Sequence, residues 1–189
     1  VALARALAPE PGMLLLDEPF GALDARMRKE LRTWLKELHD RIKLTTLLVT
    51  HDQDEALELS DRVLVMNKGR IEQDAPPEAI FDKPATEFVA SFVGDTNRAE
   101  GIVKNGVVQW GPLKFGSCNV GDYTRVAILF RPNDVYVTSQ AGEADVPGVI
   151  RSVQFMGVTE SLDIQMETGS SLLAHVPKGV AQQSGFVTG

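Results

Sequence analysis

The stretch Met13-Leu14-Leu15-Leu16-Asp17-Glu18-Pro19 decides the fold of the first half of this chain. Four consecutive apolar residues are typical of a strand that is buried on both faces of a parallel sheet. The two carboxylates that follow fall where the strand meets solvent, which is the edge where open α/β sheets bind ligands. There Asp17 could hold Mg²⁺ and Glu18 could polarise an attacking water, as phosphate-cleaving sites require. The alternative is a buried strand that ends in two solvated acids before Pro19.

The next residues predict a helix and a second strand. Asp24 is a candidate N-cap for the helix. The run from Thr45 to Thr50 predicts an apolar strand parallel to the first, joined to it by a right-handed connection. We expect one face of the helix to be buried, because its apolar residues recur at three-and-four spacing: Met27, Leu31, Trp34, Leu35, Leu38 and Ile42.

Glu18 and His51 each lie one step past the C-terminal end of a predicted strand, Glu18 after the first and His51 after the second. Because neighbouring parallel strands end at the same edge of a sheet, we expect Glu18 and His51 to lie about 5 Å apart in strand spacing. The imidazole could then hydrogen-bond a terminal phosphate or the attacking water. A lone histidine at a strand end is otherwise usually a structural hydrogen-bonding group.

The rest of the first half predicts short helices and a hairpin. Asp52 and Glu55 have the spacing of a capping box, and we assign both to helix initiation. Lys68-Gly69 predicts a tight turn between strands at 62–67 and 70–73. Further helices are predicted over residues 1–8, from Pro76-Pro77-Glu78 to about Lys83, and from Thr86 to Val93.

Together these motifs resemble the second half of the ATP-binding cassette of importer-type ABC transporter ATPases. The resemblance implies that Asp17 is the Walker B aspartate holding Mg²⁺ through water, Glu18 the catalytic glutamate and His51 the switch histidine. It also implies that Gly21 to Asp24 form the D-loop, which touches the partner subunit, and that Asp24 belongs to the nucleotide-binding site. The matching segments are Ala4-Arg5-Ala6-Leu7, Leu14 to Pro19, Gly21-Ala22-Leu23-Asp24, Val49-Thr50-His51-Asp52 and Asp61-Arg62-Val63.

The resemblance implies a function for the parent protein. It would hydrolyse ATP with Mg²⁺ as a peripheral subunit on the cytoplasmic face of the cell membrane. Its partners would be a second copy of itself and transmembrane permease subunits. It would energise uptake of a small solute such as sulfate, iron, polyamine or sugar, and the stretch from Phe92 to Arg98 leans towards the sulfate type.

Several motifs of that family do not occur in the chain. It contains no G-x-x-x-x-G-K-[ST] phosphate loop, no glutamine loop and no serine-glycine-glycine signature, and it begins at Val1 rather than at a methionine. We therefore expect that an N-terminal portion is missing. Because the phosphate loop supplies most of the phosphate contacts, we expect this piece alone to hold ATP poorly.

Beyond Asn97 the sequence changes to short alternating runs. We therefore place a domain boundary between residues 96 and 97, with a parallel α/β cassette half at 1–96 and a small all-β barrel at 97–189. The second part resembles the OB-like accessory domain (TOBE) of such ATPases through Arg131-Pro132-Asn133-Asp134. Arg131 could sense a ligand or contact a subunit, and a turn-stabilising pair with Asp134 is the favoured alternative. Strands are predicted at 100–103, 107–110, 113–115, 125–130, 135–138, 146–155, 161–166 and 172–176, with a frayed or truncated end at 182–189.

Charge, cysteine content and hydropathy limit the partners and the compartment that this protein could have. The net charge is −7 and falls mainly on residues 1–96, which argues against a nucleic-acid partner. The acidic charge therefore also weakens another possible function, that of a DNA-repair ATPase related to the transport cassettes. Cys118 is the only cysteine, which favours a reducing compartment. No apolar run approaches the roughly 20 residues that span a bilayer, so we expect membrane contact only through a partner. The main alternative to a transport motor is a regulator that dimerises or senses ligands through the barrel.

Overall fold

The computed structural model describes residues 2–139, 142, 146–167 and 169–180. They form two compact units that divide between Gly94 and Asp95. The predicted frayed end at 182–189 lies outside the described residues. Among the helices described, none has the length and apolar character needed to cross a membrane.

The first unit alternates helices and strands. In chain order its elements are α1 (Ala2–Leu7), β1 (Met13–Asp17), α2 (Ala25–Ile42), β2 (Thr45–Val49), α3 (Gln53–Leu59), β3 (Val63–Asn67), β4 (Arg70–Ala75), α4 (Pro77–Asp82) and α5 (Glu87–Phe92). β1 and β2 pair in parallel, as predicted, with Leu15 opposite Leu47 and Asp17 opposite Val49. β3 and β4 form the predicted antiparallel hairpin. Its turn residues Lys68 and Gly69 both have positive φ angles, 47° and 77°, as a two-residue hairpin turn of type I′ requires.

The prediction that β1 is buried on both faces is wrong for the described chain. Leu14 is only 4% exposed, but Met13 and Leu15 are 54% and 66% exposed. The register places Leu47 on the same face as Leu15, and Leu47 is 54% exposed. Successive side chains of a strand point to opposite faces, and in the described residues only one face of this strand pair is covered. A continuous apolar run therefore does not by itself show which face is covered.

The predicted apolar face of α2 is only partly buried, with three of its six residues exposed. Asp24 caps the helix as expected, accepting a hydrogen bond from the backbone N–H of Met27 at 2.9 Å. Leu35 is buried, but Met27, Trp34 and Ile42 are each more than 40% exposed. The expectation of one buried face was therefore wrong for the described chain, in which Leu35 is the buried member of that face.

A row of three basic residues, one helical turn apart, joins α2 to α3. Arg28 Nη1 lies 3.3 Å from Asp52 Oδ2, and Arg32 Nη1 lies 3.5 Å from Glu58 Oε2. Lys36 donates to the backbone carbonyl of Glu58 at 3.2 Å. These contacts hold both ends of α3, and the residue before its N-cap is His51.

The second unit consists of two antiparallel sheets. Its strands are β5 (Asn97–Lys104), β6 (Val107–Trp110), β7 (Leu113–Ser117), β8 (Arg125–Phe130), β9 (Gly148–Phe155), β10 (Thr159–Met166) and β11 (Ser171–Pro177), with a 3₁₀ turn at Pro132–Asp134. The orders are β7-β6-β5-β8 and β11-β10-β9. Both sheets contribute to one apolar core, which includes Ala99, Trp110, Ile150, Leu162 and Ala174. Among the described strands of this unit, backbone pairing gives these two sheets and no closed barrel, so the predicted small all-β barrel is not confirmed.

The predicted strand at 135–138 does not pair in either sheet. Val135 and Val137 instead pack against the apolar core after the 3₁₀ turn. The alternating apolar pattern correctly indicated that every second side chain packs inward. It did not indicate backbone pairing, because an extended segment outside a sheet can show the same pattern.

Candidate active site

Glu18 and His51 meet at the carboxyl ends of β1 and β2. The imidazole Nδ1 of His51 lies 2.7 Å from Oε1 of Glu18. The backbone N–H of His51 donates to the same oxygen at 3.1 Å. Oε1 is therefore held at two points, and Oε2 is the carboxylate oxygen left for another partner. The expectation that parallel pairing brings these two residues together agrees with this geometry.

The backbone around Glu18 is fixed by the turn that follows β1. The N–H of Glu18 donates to the carbonyl of Val49 at 2.8 Å, which extends the parallel pairing by one residue. Glu18 itself has a positive φ of 46°, which a non-glycine residue rarely adopts. Phe20 is fully buried and anchors the turn. Strand pairing on one side and a buried aromatic ring on the other thus hold the Glu18 carboxylate at the sheet edge.

His51 is presented to solvent, with 82% of its side chain exposed, while the Glu18 side chain is 41% exposed. The hydrogen bond that His51 donates to Glu18 and the negative charge of that carboxylate raise the pKa of His51 above the ordinary value of 6.5. The neighbouring carboxylate therefore shifts the titration of the imidazole towards higher pH. An exposed, positively charged imidazole is suited to an anionic ligand.

Asp17 and Asp24 occupy different positions around this pair. Asp17 ends β1 on the exposed face and is itself exposed. The Asp24 carboxylate caps α2, as predicted, and its oxygen Oδ1 accepts a hydrogen bond from the backbone N–H of Met27. Within the described residues, no group of three or more His, Cys, Asp or Glu side chains could hold a metal ion on its own. A single exposed carboxylate still fits Mg²⁺, which keeps several waters and binds one or two carboxylates plus substrate phosphates.

The amino-acid sequence of the chain is similar to those of several import ATP-binding proteins. The chain is 43% identical over 180 residues to the sulfate/thiosulfate import ATP-binding protein CysA of Synechococcus elongatus, covering 94% of this chain and 49% of the relative. It is 44% identical over 187 residues to CysA 1 of Rhizobium meliloti, covering 97% and 53%. It is 49% identical over 164 residues to CysA of Xanthomonas campestris pv. campestris, covering 86% and 48%.

The chain is homologous to the ATP-binding subunits of ABC importers. It spans about half the length of the curated relatives it matches. No protein-family model matches it. Among solved structures it is similar to cbiO1 from Clostridium perfringens, part of the ABC transporter complex cbiONQ. That match has a TM-score of 0.41 and 33% identity, and it covers 44% of this chain and 34% of the other.

In this importer homologue, the predicted capping box after His51 is only half formed. The side chain of Asp52 accepts from the N–H of Glu55 at 3.3 Å, as expected. The reciprocal bond is replaced, because the N–H of Asp52 donates to the Thr50 hydroxyl at 3.0 Å. The carboxylate of Glu55 accepts from that hydroxyl at 2.6 Å. Glu55 is therefore more than a helix-initiating residue.

Thr50, Glu55 and Arg28 are the neighbours of the site that sequence reasoning missed. Glu55 is only 3% exposed. A carboxylate in the first turn of a short helix gives no sequence signal of burial, because most acids there are solvated. Arg28 bonds both to Asp52 and, at 3.3 Å, to the carbonyl of Leu23 in the Gly21-to-Asp24 loop.

Arg131 lies in the second unit. Asp134 accepts a hydrogen bond from the backbone N–H of Arg131 at 3.2 Å, which stabilises the 3₁₀ turn. The guanidinium donates to the carbonyl of Asp95 at 3.2 Å and to the hydroxyl of Thr96. The favoured alternative, a turn-stabilising pair of Arg131 and Asp134, is therefore formed through the backbone N–H of Arg131. The Arg131 side chain instead joins the turn to the first residues of the second unit. A sensing or interface role for Arg131 stays a prediction.

Proposed function

We propose that the whole protein is the ATP-hydrolysing subunit of an ABC importer that takes up a small oxyanion, sulfate or thiosulfate. The observation that carries this proposal is the contact between Glu18 and His51 at the ends of two parallel strands. Its substrate class follows from the relatives, which are named sulfate/thiosulfate import proteins. In this scheme the cofactors are ATP and Mg²⁺.

The geometry supports separate roles for the site residues. Glu18 is the general base, because Oε2 is available to accept a proton from an attacking water while His51 holds Oε1. His51 contacts the terminal phosphate through Nε2, since Nδ1 is directed at Glu18. Asp17 holds Mg²⁺ through water, and the ion would supply charge neutralisation at the phosphates. Asp24 couples the two subunits next to the nucleotide.

We also propose the assignment of the two parts of the chain. Residues 1–96 correspond to the C-terminal half of an ABC ATPase domain, and residues 97–189 to a TOBE-like accessory domain of OB-like type. In this scheme the subunit pairs with a second copy and docks on transmembrane permease subunits at the cytoplasmic face of the membrane.

The test is ATP hydrolysis by the protein in its full natural length, together with sulfate uptake in vesicles that also contain its permease. We expect Glu18→Gln to lower kcat by about 100-fold or more while ATP still binds, because it removes a general base. Glu37→Gln, an exposed acid on α2, is the matched control and should leave kcat unchanged. Uptake should be competed by thiosulfate but not by a polyamine or a sugar.

Two results would contradict the proposal. One is full hydrolysis by the Glu18→Gln protein. The other is a full-length protein that never hydrolyses ATP but dimerises when a ligand binds the second unit, which would support the regulatory alternative.

A further inference from the structure

We propose that Glu55 is a positioning residue, which acts through the hydroxyl of Thr50 to hold His51 against Glu18. The inference deepens the function proposed above and rests on it for its catalytic meaning. Glu55 and Thr50 themselves touch neither the nucleotide nor the attacking water in that scheme.

A closed ring of hydrogen bonds surrounds the backbone of His51. The Thr50 hydroxyl donates to Glu55 at 2.6 Å and accepts from the N–H of Asp52 at 3.0 Å. Asp52 in turn accepts from the N–H of Glu55 at 3.3 Å. The residues on both sides of His51 are thus tied to Glu55, and His51 itself is the member of the segment whose side chain projects into solvent.

The burial of Glu55 indicates that this bond is a fixed part of the structure. Only 3% of Glu55 is exposed, in a unit where most acids are solvated. A buried carboxylate is unfavourable unless strong hydrogen bonds compensate for lost hydration. The 2.6 Å distance to Thr50 is that of a charge-assisted hydroxyl–carboxylate bond, which is short and directional.

The ring has a consequence for the catalytic pair. The N–H and the imidazole of His51 reach the same oxygen of Glu18, so a small rotation of the backbone at residues 50–52 would break both bonds. The remaining charges facing His51 are Asp52 and Glu55, and Arg28 of α2 pairs with Asp52. Glu55 thus fixes His51 by geometry, and its charge also favours the protonated imidazole.

Thr50→Val is the sharpest test, because it removes the hydroxyl without changing charge or size. Amide hydrogen exchange of the full-length protein reports on the N–H of His51, which donates to Glu18. We expect Thr50→Val to speed its exchange about tenfold, the effect of one lost hydrogen bond. We also expect kcat for ATP hydrolysis to fall about tenfold with KM within about twofold, because a misplaced His51 weakens the transition state rather than ATP binding.

Two matched variants make this test specific. Thr50→Ser retains the hydroxyl and should restore both measurements. Thr46→Val makes the same change four residues earlier on β2, where the hydroxyl donates to the nearby carbonyl of Leu44, and should change neither. If Thr50→Val behaves like Thr46→Val, the inference is overturned.

Should Thr50→Val fail to fold, the decision passes to Glu55→Gln. Its amide oxygen still accepts from Thr50, but more weakly, so we expect exchange at His51 to rise about threefold. Asp54→Asn, an exposed acid on the same turn, is the control, and equal exchange in the two variants would overturn the inference. A full-length protein that hydrolyses no ATP would contradict the proposed function, whereas the exchange result would still decide the positioning role.

Discussion

At the residue scale, one carboxylate oxygen organises the site. Oε1 of Glu18 receives both the backbone N–H and the imidazole of His51. Two bonds from one residue fix the direction of the imidazole as well as its distance. Because both side chains are partly or largely exposed, their electrostatic attraction is screened by water and adds little to folding stability. The contact is therefore better understood as orientation than as stabilisation.

The pKa of His51 provides a direct test of this contact. We expect Glu18→Gln to lower the pKa of His51 towards 6.5, because Glu18 supplies the hydrogen bond and the largest charge effect that raise it. NMR titration of the imidazole protons measures this value. Glu37→Gln is the control for loss of an acid elsewhere. An unchanged pKa in the Glu18→Gln chain would show that the two side chains do not interact in solution.

The sign of the pH dependence follows from the direction of that shift. A group whose pKa is raised on folding stabilises the folded state below its unfolded value, here 6.5. That contribution is lost as the pH rises through the folded-state pKa. Because the pair is exposed, we expect Glu18→Gln to change the melting temperature only slightly, and by more at pH 5.5 than at pH 9, as calorimetry at both values would show.

At the scale of elements, an asparagine side chain joins the two sheets of the second unit. Asn97 on β5 is 5% exposed. Its Nδ2 donates to the carbonyl of Leu173 on β11 at 2.7 Å, and its Oδ1 accepts from the N–H of the same residue at 2.8 Å. The amide thus satisfies one backbone position of β11 in the way a neighbouring strand would.

Removing this amide should be costly. We expect Asn97→Ala to lower the free energy of unfolding of the second unit by about 2–4 kcal/mol, because both backbone groups of Leu173 lose their partner. Denaturant titration measures the change. Asn119→Ala, at an exposed position, is the control and should lie within about 0.5 kcal/mol of the unchanged chain. A small effect at Asn97 would mean that water replaces the amide.

A glycine in β5 tests the packing of the same sheet. A Cβ at Gly101 would lie 2.7 Å from Cδ1 of Ile128 and 3.1 Å from the carbonyl oxygen of Gln109. We therefore expect Gly101→Ala to destabilise the unit by about 1–3 kcal/mol through overpacking. Gly116→Ala meets nothing within 4 Å and should be nearly neutral. Equal melting temperatures for the two variants would contradict the close approach described for Gly101.

At the scale of the whole molecule, the two units differ in how much of their apolar surface they bury. The core of the second unit is built from β5, β6, β9, β10 and β11, all within the unit. The first unit leaves apolar residues of both parallel strands exposed, including Met13, Leu15 and Leu47. Exposed apolar residues on adjacent strands form a contiguous patch, which is unfavourable in water.

This difference predicts the behaviour of the separated units. We expect residues 95–189 alone to unfold cooperatively, because their core needs no residue of the first unit. We expect residues 1–94 alone to bind an apolar dye strongly through the exposed strand face. Circular dichroism during heating and dye fluorescence measure these properties. A non-cooperative transition for residues 95–189 would contradict the first expectation.

Much of the first unit could be predicted because its signals are local. The apolar runs at β1 and β2, the cap at Asp24 and the Lys68-Gly69 turn each depend on a few neighbouring residues, and the parallel pairing follows from the helix between the strands. The position of His51 beside Glu18 followed in turn from that pairing. The same reasoning failed for burial of α2, because an apolar stripe does not specify what covers it.

From the sequence alone one could predict the elements of the first unit, its parallel strand pair and the residues at the edge of that pair, because these depend on short-range spacing and turn chemistry. Only the tertiary structure decided which strand face is covered, that Glu55 is buried against Thr50, and that Asn97 bonds to a strand 76 residues away. These features depend on contacts between distant parts of the chain. Such contacts form only when the whole chain packs, and a single sequence carries no local signal for them.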